Sequence, residues 1–242
     1  MTYSGQLHPG ANVDGCIVEQ LIGVGGMSYV YAARETRDGS RVALKIPRPD
    51  ANLVRFDVEA AVSLRLRSPY IVRAIRNGTH DGVPFLVMEY VPYPSLNGPI
   101  RARGGQPFDD FSTARVGADV AQALNDAYRA SGILAHRDIK PGNIFADFSP
   151  GGETRPVRLS DFGIVKRVDS DLTGVMELIG VAEYIAPEAV LRTQYGPASD
   201  MYSLGVLMYL MATGRLPFVG GSGMELAARH IKETLVPPER FN

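Results

Sequence analysis

The apolar positions of this chain change period part-way along it. Residues 16–22, 29–34 and 41–46 are short β-branched and aromatic-rich runs separated by glycine-bearing turns, among them Arg37-Asp38-Gly39, and they predict strands. Residues 56–66 switch to a helical spacing, with Val58, Ala61, Val62 and Leu66 apolar and charges between them. Strand character returns at 71–75 and 85–91. The stretch 92–99 holds three prolines and a glycine and predicts a linker. Helix dominates beyond it. Asp109, Asp110 and Ser112 can cap a helix whose apolar stripe is Val116, Val120, Ala123, Leu124 and Ala127. Two short strands are expected at 142–147 and 157–160, joined by the turn-rich 149–156. Residues 198–213 are apolar nearly all round and stop at Gly214, the pattern of a buried helix, and a last helix is expected at 223–234. No internal repeat or low-complexity segment interrupts this order. The expected fold is α+β and bilobal: a small β-rich lobe with one helix at 1–91, a linker at 92–99, and a larger mainly helical lobe at 100–242. Such an arrangement leaves a ligand cleft at the linker.

Composition narrows the class. With 45% hydrophobic and 21% charged residues the chain reads as globular, and 242 residues suffice for a substantial core. Twenty-five basic against 26 acidic residues, a net charge of −1, give no reason to expect nucleic acid or an anionic membrane as partner. One cysteine, Cys16, excludes an intrachain disulfide and points to the reducing cytoplasm. His8, His80, His136 and His230 show no zinc-site spacing. Residues 1–15 lack the basic patch and apolar run of a secretory signal, and the longest apolar stretch, near 204–212, falls far short of the roughly 20 residues of a membrane span.

Four local patterns carry chemistry. Gly23-Val24-Gly25-Gly26-Met27-Ser28-Tyr29-Val30 lies between two expected strands, and glycines there let backbone N–H groups approach phosphate oxygens. Alone it is equally a hairpin turn. Lys45, in Val42-Ala43-Leu44-Lys45, follows on a strand, and Glu59 stands 14 residues later on a helix, where it could pair with that lysine. In His136-Arg137-Asp138-Ile139-Lys140-Pro141-Gly142-Asn143, Asp138 can accept a hydroxyl proton, Lys140 can approach a γ-phosphate and Asn143 can hold a metal. His136 reads as a structural residue of the loop. Asp161-Phe162-Gly163, 18 residues beyond Asn143, offers a carboxylate at a strand end for a hard cation.

Taken together the set resembles the protein kinase signature, in order and in context. It continues with Ala186-Pro187-Glu188 and Asp200-Met201-Tyr202-Ser203-Leu204-Gly205, and its wording is similar to bacterial, notably actinobacterial, serine/threonine kinases over roughly 14–238. The resemblance implies an ATP- and Mg²⁺-dependent protein serine/threonine kinase, with Mn²⁺ as a substitute ion and protein substrates. By it, Lys45, Glu59, Asp138 and Lys140 are catalytic and Asn143 and Asp161 hold metal. It assigns ATP binding to Ile22, Gly23, Gly25, Gly26, Ser28, Val30, Ala43, Lys45 and Phe145, hinge hydrogen bonds to Glu89 and Val91, and the gatekeeper position to Met88. Asp200 would hold the backbone of the catalytic loop. Arg137 would pair with a phosphate on segment 161–188, where Thr173, autophosphorylated in trans, and Ser170 are the acceptors.

Three departures qualify the match. Ser28 replaces the usual third loop glycine, so a Cβ is expected at the loop tip. Val181 stands where an acceptor-positioning threonine is usual. The helices that normally follow 223–234 are missing, among them the arginine that pairs with Glu188, so the chain is expected to be a short form or a fragment with a truncated C-lobe. Uncovered apolar surface there would favour a homodimer or a partner protein. The turn at 149–156 is about five residues longer than usual and is given no role. The alternative function is a weakly active pseudokinase that serves as a nucleotide-binding scaffold; a small-molecule phosphotransferase would lack the Ala-Pro-Glu segment.

Overall fold

The computed structural model describes residues 6–131, 135–162, 182–191 and 195–241. The chain divides into two compact units, one made of Met1–Arg67 and Val72–Pro92, the other of Ser68–Ile71 and Tyr93–Asn242.

The first unit is a six-stranded antiparallel sheet. Its strands are β1 (Asn12–Val13), β2 (Cys16–Val24), β3 (Ser28–Glu35), β4 (Arg41–Pro47), β5 (Ala74–His80) and β6 (Val83–Glu89), in the order β1-β2-β3-β4-β6-β5. Pairing of Tyr31 with Leu44 and of Leu44 with Val87 stacks one face into a core that also holds Cys16, Val18, Val42, Ile46 and Phe85. Because side chains alternate along a strand, β6 buries its odd and even residues on opposite faces. Its other face, through Leu86 and Met88, packs against Phe56 and Ala60 of helix α1 (Leu53–Ser63). A β-carbon at Gly78 would sit 2.7 Å from the Phe85 ring, so this aromatic residue lies flat across its glycine partner.

The second unit is built on two helices, α3 (Asp110–Ser131) and α5 (Pro197–Thr213). The Asp109 side chain caps α3 by accepting from the Ser112 amide at 2.8 Å. The expected stripe Val116, Val120, Ala123, Leu124 and Ala127 is wholly buried. Gly117 lets α5 come close, since a β-carbon there would lie 2.7 Å from the Met208 sulfur. Gly214 ends α5 in the left-handed conformation (φ 71°). A two-stranded ladder, β7 (Ile144–Phe145) with β8 (Arg158–Leu159), lies beside α3. Short helices α2 (Asn97–Arg103) and α4 (Pro187–Val190) and helix α6 (Gly223–Lys232) complete the unit. Among the described residues no helix is long and apolar enough to cross a membrane.

Several boundaries differ from expectation. Helix α1 begins three residues early because Asn52 caps it, accepting from the Arg55 amide at 3.0 Å. Its buried residues are Phe56 and Ala60, whereas Val58 is 42% exposed and Leu66 lies beyond the helix end. The strand expected at 71–75 starts at Ala74 and runs on through polar residues, while Ile71 forms an isolated bridge to Leu159 in the second unit. Helix α2 starts inside the expected linker, and residues 68–71 group with the second unit although the chain order puts them in the first.

Candidate active site

Strand register decides what the first unit can present. Gly23 pairs with Val30, Val30 with Lys45, and Lys45 with Leu86, while Ala43 pairs with Met88. Directly paired residues share a face, so Gly23, Val30, Ala43, Lys45 and Met88 line one surface of the sheet. Helix α1 packs on that same surface through Leu86 and Met88. Glu59 of α1 is half-buried, and Arg55 Nε lies 3.5 Å from its carboxylate. Ile22 is the bulged residue between the Leu21 and Gly23 pairings and is exposed.

The turn joining β2 and β3 closes through the Gly25 amide, which donates to the Ser28 carbonyl at 2.8 Å. Neither Gly25 nor Gly26 adopts a left-handed backbone, and a β-carbon on Gly26 would meet nothing within 4 Å. Internal packing therefore does not require glycine at 26. Ser28 is not at the loop tip, contrary to expectation. It opens β3 opposite Pro47 and is buried. The Glu89 amide donates to the Arg73 carbonyl at 2.9 Å, and the Glu89 carboxylate accepts from the Arg73 amide. The Glu89 N–H is therefore engaged within the protein. Val91 follows β6 and is half-buried.

In the second unit the loop between α3 and β7 hangs on Asp200, which is 1% exposed at the first turn of α5. Its carboxylate accepts from the His136 amide (2.5 Å), the Arg137 amide (2.8 Å) and the Tyr128 hydroxyl (2.6 Å). Burial beside this anion pushes the Tyr128 phenol well above its ordinary range, so it remains a donor. Arg137 has φ 70°, a left-handed conformation that a non-glycine residue holds only where surrounding bonds fix it. His136 is fully buried, with Nε2 donating to the Ser160 carbonyl at 3.0 Å and Nδ1 accepting from the Asp138 amide at 3.2 Å. Both nitrogens are spent on backbone, and burial lowers the imidazole pKa. The ring also packs on Phe162, with centroids 4.5 Å apart.

This scaffold presents Asp138. Its Oδ2 accepts from Asn143 Nδ2 at 2.9 Å and lies 3.0 Å from Lys140 Nζ. Asn143 Nδ2 also donates to the Asp138 carbonyl at 2.8 Å. Its amide nitrogen is thus used twice on Asp138. Asp161 follows Ser160, whose amide donates to the Asn143 carbonyl at 2.9 Å, and has φ 58°. Asn143 and Asp161 thus stand on adjoining backbone, and an amide oxygen with a carboxylate is chemistry that suits a hard cation. They are too few to bind an ion alone, and no group of three or more His, Cys, Asp or Glu suited to a metal occurs among the described residues. Phe145 stands in β7, bridged to Ser95. The Arg137 guanidinium lies over the Tyr195 ring at 5.5 Å. Thr173, Ser170, Val181 and Gly163 lie outside the described residues.

Sequence patterns could not name Tyr128, Tyr195 or Ser199. Ser199 donates to the Glu188 carboxylate at 2.7 Å, which gives that residue a partner on α5 itself.

Residues 16–240 match the protein kinase domain family. The chain belongs to that family. Its kinase domain is 37% identical over 236 residues to a probable serine/threonine-protein kinase PknB of Bifidobacterium longum, covering 90% of this chain and 33% of that protein. It is 35% identical over 231 residues to the serine/threonine-protein kinase PknB of Mycobacterium leprae, covering 91% and 36%. The kinase domain thus spans about a third of the length of the curated relatives it matches. Among solved structures, the PknI kinase domain of Mycobacterium tuberculosis superposes with a TM-score of 0.69 at 23% identity, over 98% of this chain and 85% of that one. At that identity the likeness speaks for the fold alone.

Proposed function

We propose that this domain transfers the γ-phosphoryl group of ATP to serine or threonine hydroxyls of protein substrates. The family uses ATP with a divalent metal ion; here we assign Mg²⁺, with Mn²⁺ able to replace it, and a cytoplasmic setting where ATP is present. The observation that carries the reading is the Asp138 carboxylate, held by Asn143 and Lys140 within 3.0 Å on a loop suspended from Asp200.

In this reading Asp138 orients the acceptor hydroxyl and takes its proton as the new O–P bond forms and the bond to ADP breaks. Lys140, beside it, neutralises charge developing on the transferred group. The glycine turn, open at Gly26, lets phosphate approach the backbone, and Lys45 meets the remaining phosphates. Asn143 and Asp161 would hold the cation, which supplies charge neutralisation on the phosphates. We further assign Arg137 to a phosphate on Thr173, or on Ser170, placed there by a second copy of the enzyme.

The test is incubation with labelled ATP, Mg²⁺ and a generic basic protein, wild type beside Asp138→Asn. Transfer by the wild type should fall at least about 100-fold in the variant while the fold is unchanged by circular dichroism. Equal transfer by both would overturn the assignment. Mass spectrometry of the same wild-type reaction should find phosphate on Thr173 or Ser170, and none within 164–181 would remove the regulatory part.

A further inference from the structure

Residues 182–186 wall a hollow beside Asp138: Tyr184, Ile185 and Ala186 line it together with Arg137, Asp138 and Ile139. What fixes this wall determines where an acceptor chain can rest against the loop that carries the base. On one side Ser203 of α5 donates to the Tyr184 carbonyl at 2.6 Å. On the other, α6 packs on it, Leu226 against Ala182 and Ala227 against Ile185 and Ala186.

His230 sits in the middle of that second contact. It is 5% exposed, with Phe218 edge-on at 4.9 Å and the Tyr202 ring at 5.7 Å. Its Nδ1 accepts from the Tyr202 hydroxyl at 2.8 Å. With the hydroxyl as donor the ring proton rests on Nε2, which is buried beside the backbone of Ala182 and Glu183 without a fully formed hydrogen bond to either. A leucine would fill this space without the desolvation cost of a buried imidazole. What the imidazole adds is direction: one nitrogen fixed to α5 through Tyr202, the other aimed at the wall. Ala182 and Glu183 run directly into Tyr184, Ile185 and Ala186, so the contact with His230 bears on the lining of the hollow.

We propose that His230, fixed by Tyr202, is a positioning residue for the acceptor polypeptide, setting the 182–186 wall relative to Asp138. The inference rests on the phosphoryl-transfer reading, and neither residue touches the reacting atoms. Three variants test it: His230→Leu keeps bulk, His230→Asn keeps a polar group near the Nδ1 position, and Tyr202→Phe removes only a hydroxyl. Each is assayed for steady-state transfer to purified histone and for slow ATP hydrolysis with water as acceptor.

His230→Leu should raise the histone KM about tenfold, with the ATP KM and the hydrolysis rate unchanged. Tyr202→Phe should reproduce most of that rise, the double variant Tyr202→Phe/His230→Leu should add little to it, and His230→Asn should recover part of it. A merely structural role would lower kcat in both reactions through loss of active protein and leave the histone KM alone; that result overturns the inference. So does an unchanged histone KM in Tyr202→Phe, whose ring still fills its place. A wild type that transfers nothing overturns the functional reading and this inference with it; a wild type that transfers while the variants keep its histone KM overturns the inference alone.

Discussion

Asp200 shows how one buried carboxylate can set a whole loop. It satisfies three donors that would otherwise be orphaned, two of them amides flanking the left-handed backbone at Arg137. Removing one partner from a buried charged network leaves every other member unpaired, which costs more than any single bond. Asp200→Ala should therefore lose roughly 3–5 kcal/mol of stability in urea titration. Tyr128→Phe, which removes one donor and leaves the two amides in place, should lose only about 1 kcal/mol. The same scale governs pH dependence. Burial lowers the pKa of both His136 and His230 in the folded protein. The unfolded chain takes up a proton near pH 6.5 and the folded one does not, so stability is complete above that value and declines as the pH falls through it. Asp38, Asp109 and Asp147 have carboxyl pKa values lowered by hydrogen bonds from nearby serines. Their contribution is lost lower, as the pH drops below about 4. Denaturation midpoints measured from pH 8 to 3 should thus fall in two stages, and His230→Leu should shrink the first and leave the second.

At the scale of elements, legibility followed the physics of each signal. The stripe of α3 and the all-round apolarity of α5 repeat over many turns and are buried as expected. Strand β5 was displaced because it is an edge strand reading Ala-Ile-Arg-Asn-Gly-Thr-His, with Ala74 its only buried residue. A strand covered on one side only, and made of polar residues, carries no apolar alternation to read. Helix α2 hid among prolines, two of which precede it, and has no buried residue of its own. The meeting of Asp138, Lys140 and Asn143 is legible because the three are nearly contiguous in sequence. Tyr128, Tyr195 and Ser199 are not, since each meets its partner only after helices have packed. The start of α1 does not show in the apolar pattern because its cap, Asn52, lies before the first charged residue of the helix, outside the apolar window. Its side chain satisfies one of the orphan amides of the first turn. Asn52→Ala should cost about 1 kcal/mol in urea titration. Because Glu59 rides on this helix, the same variant should also raise the ATP KM with little change in kcat; an unchanged KM would detach Glu59 from nucleotide handling.

For the whole molecule the question is whether two units with separate cores act as one enzyme. The first carries the glycine turn, Lys45 and Glu59; the second carries Asp138, Lys140, Asn143 and Asp161. In the proposed reading neither set suffices alone, since the base and cation donors are assigned to one unit and the phosphate-binding turn to the other. A ligand that binds only the folded state raises the unfolding temperature in proportion to its affinity. Mg²⁺-ATP should therefore raise the melting temperature of the wild type, and each of Lys45→Ala and Asp161→Asn should abolish most of that rise although they lie in different units. If the nucleotide belonged to one unit only, one of these variants would keep the full shift, and two separable melting transitions would show which. Gly26→Ala supplies the internal control. An added β-carbon meets nothing in the protein, so the ligand-free melting temperature should stay put, and a smaller shift with Mg²⁺-ATP reports an approach of phosphate to that backbone and nothing else.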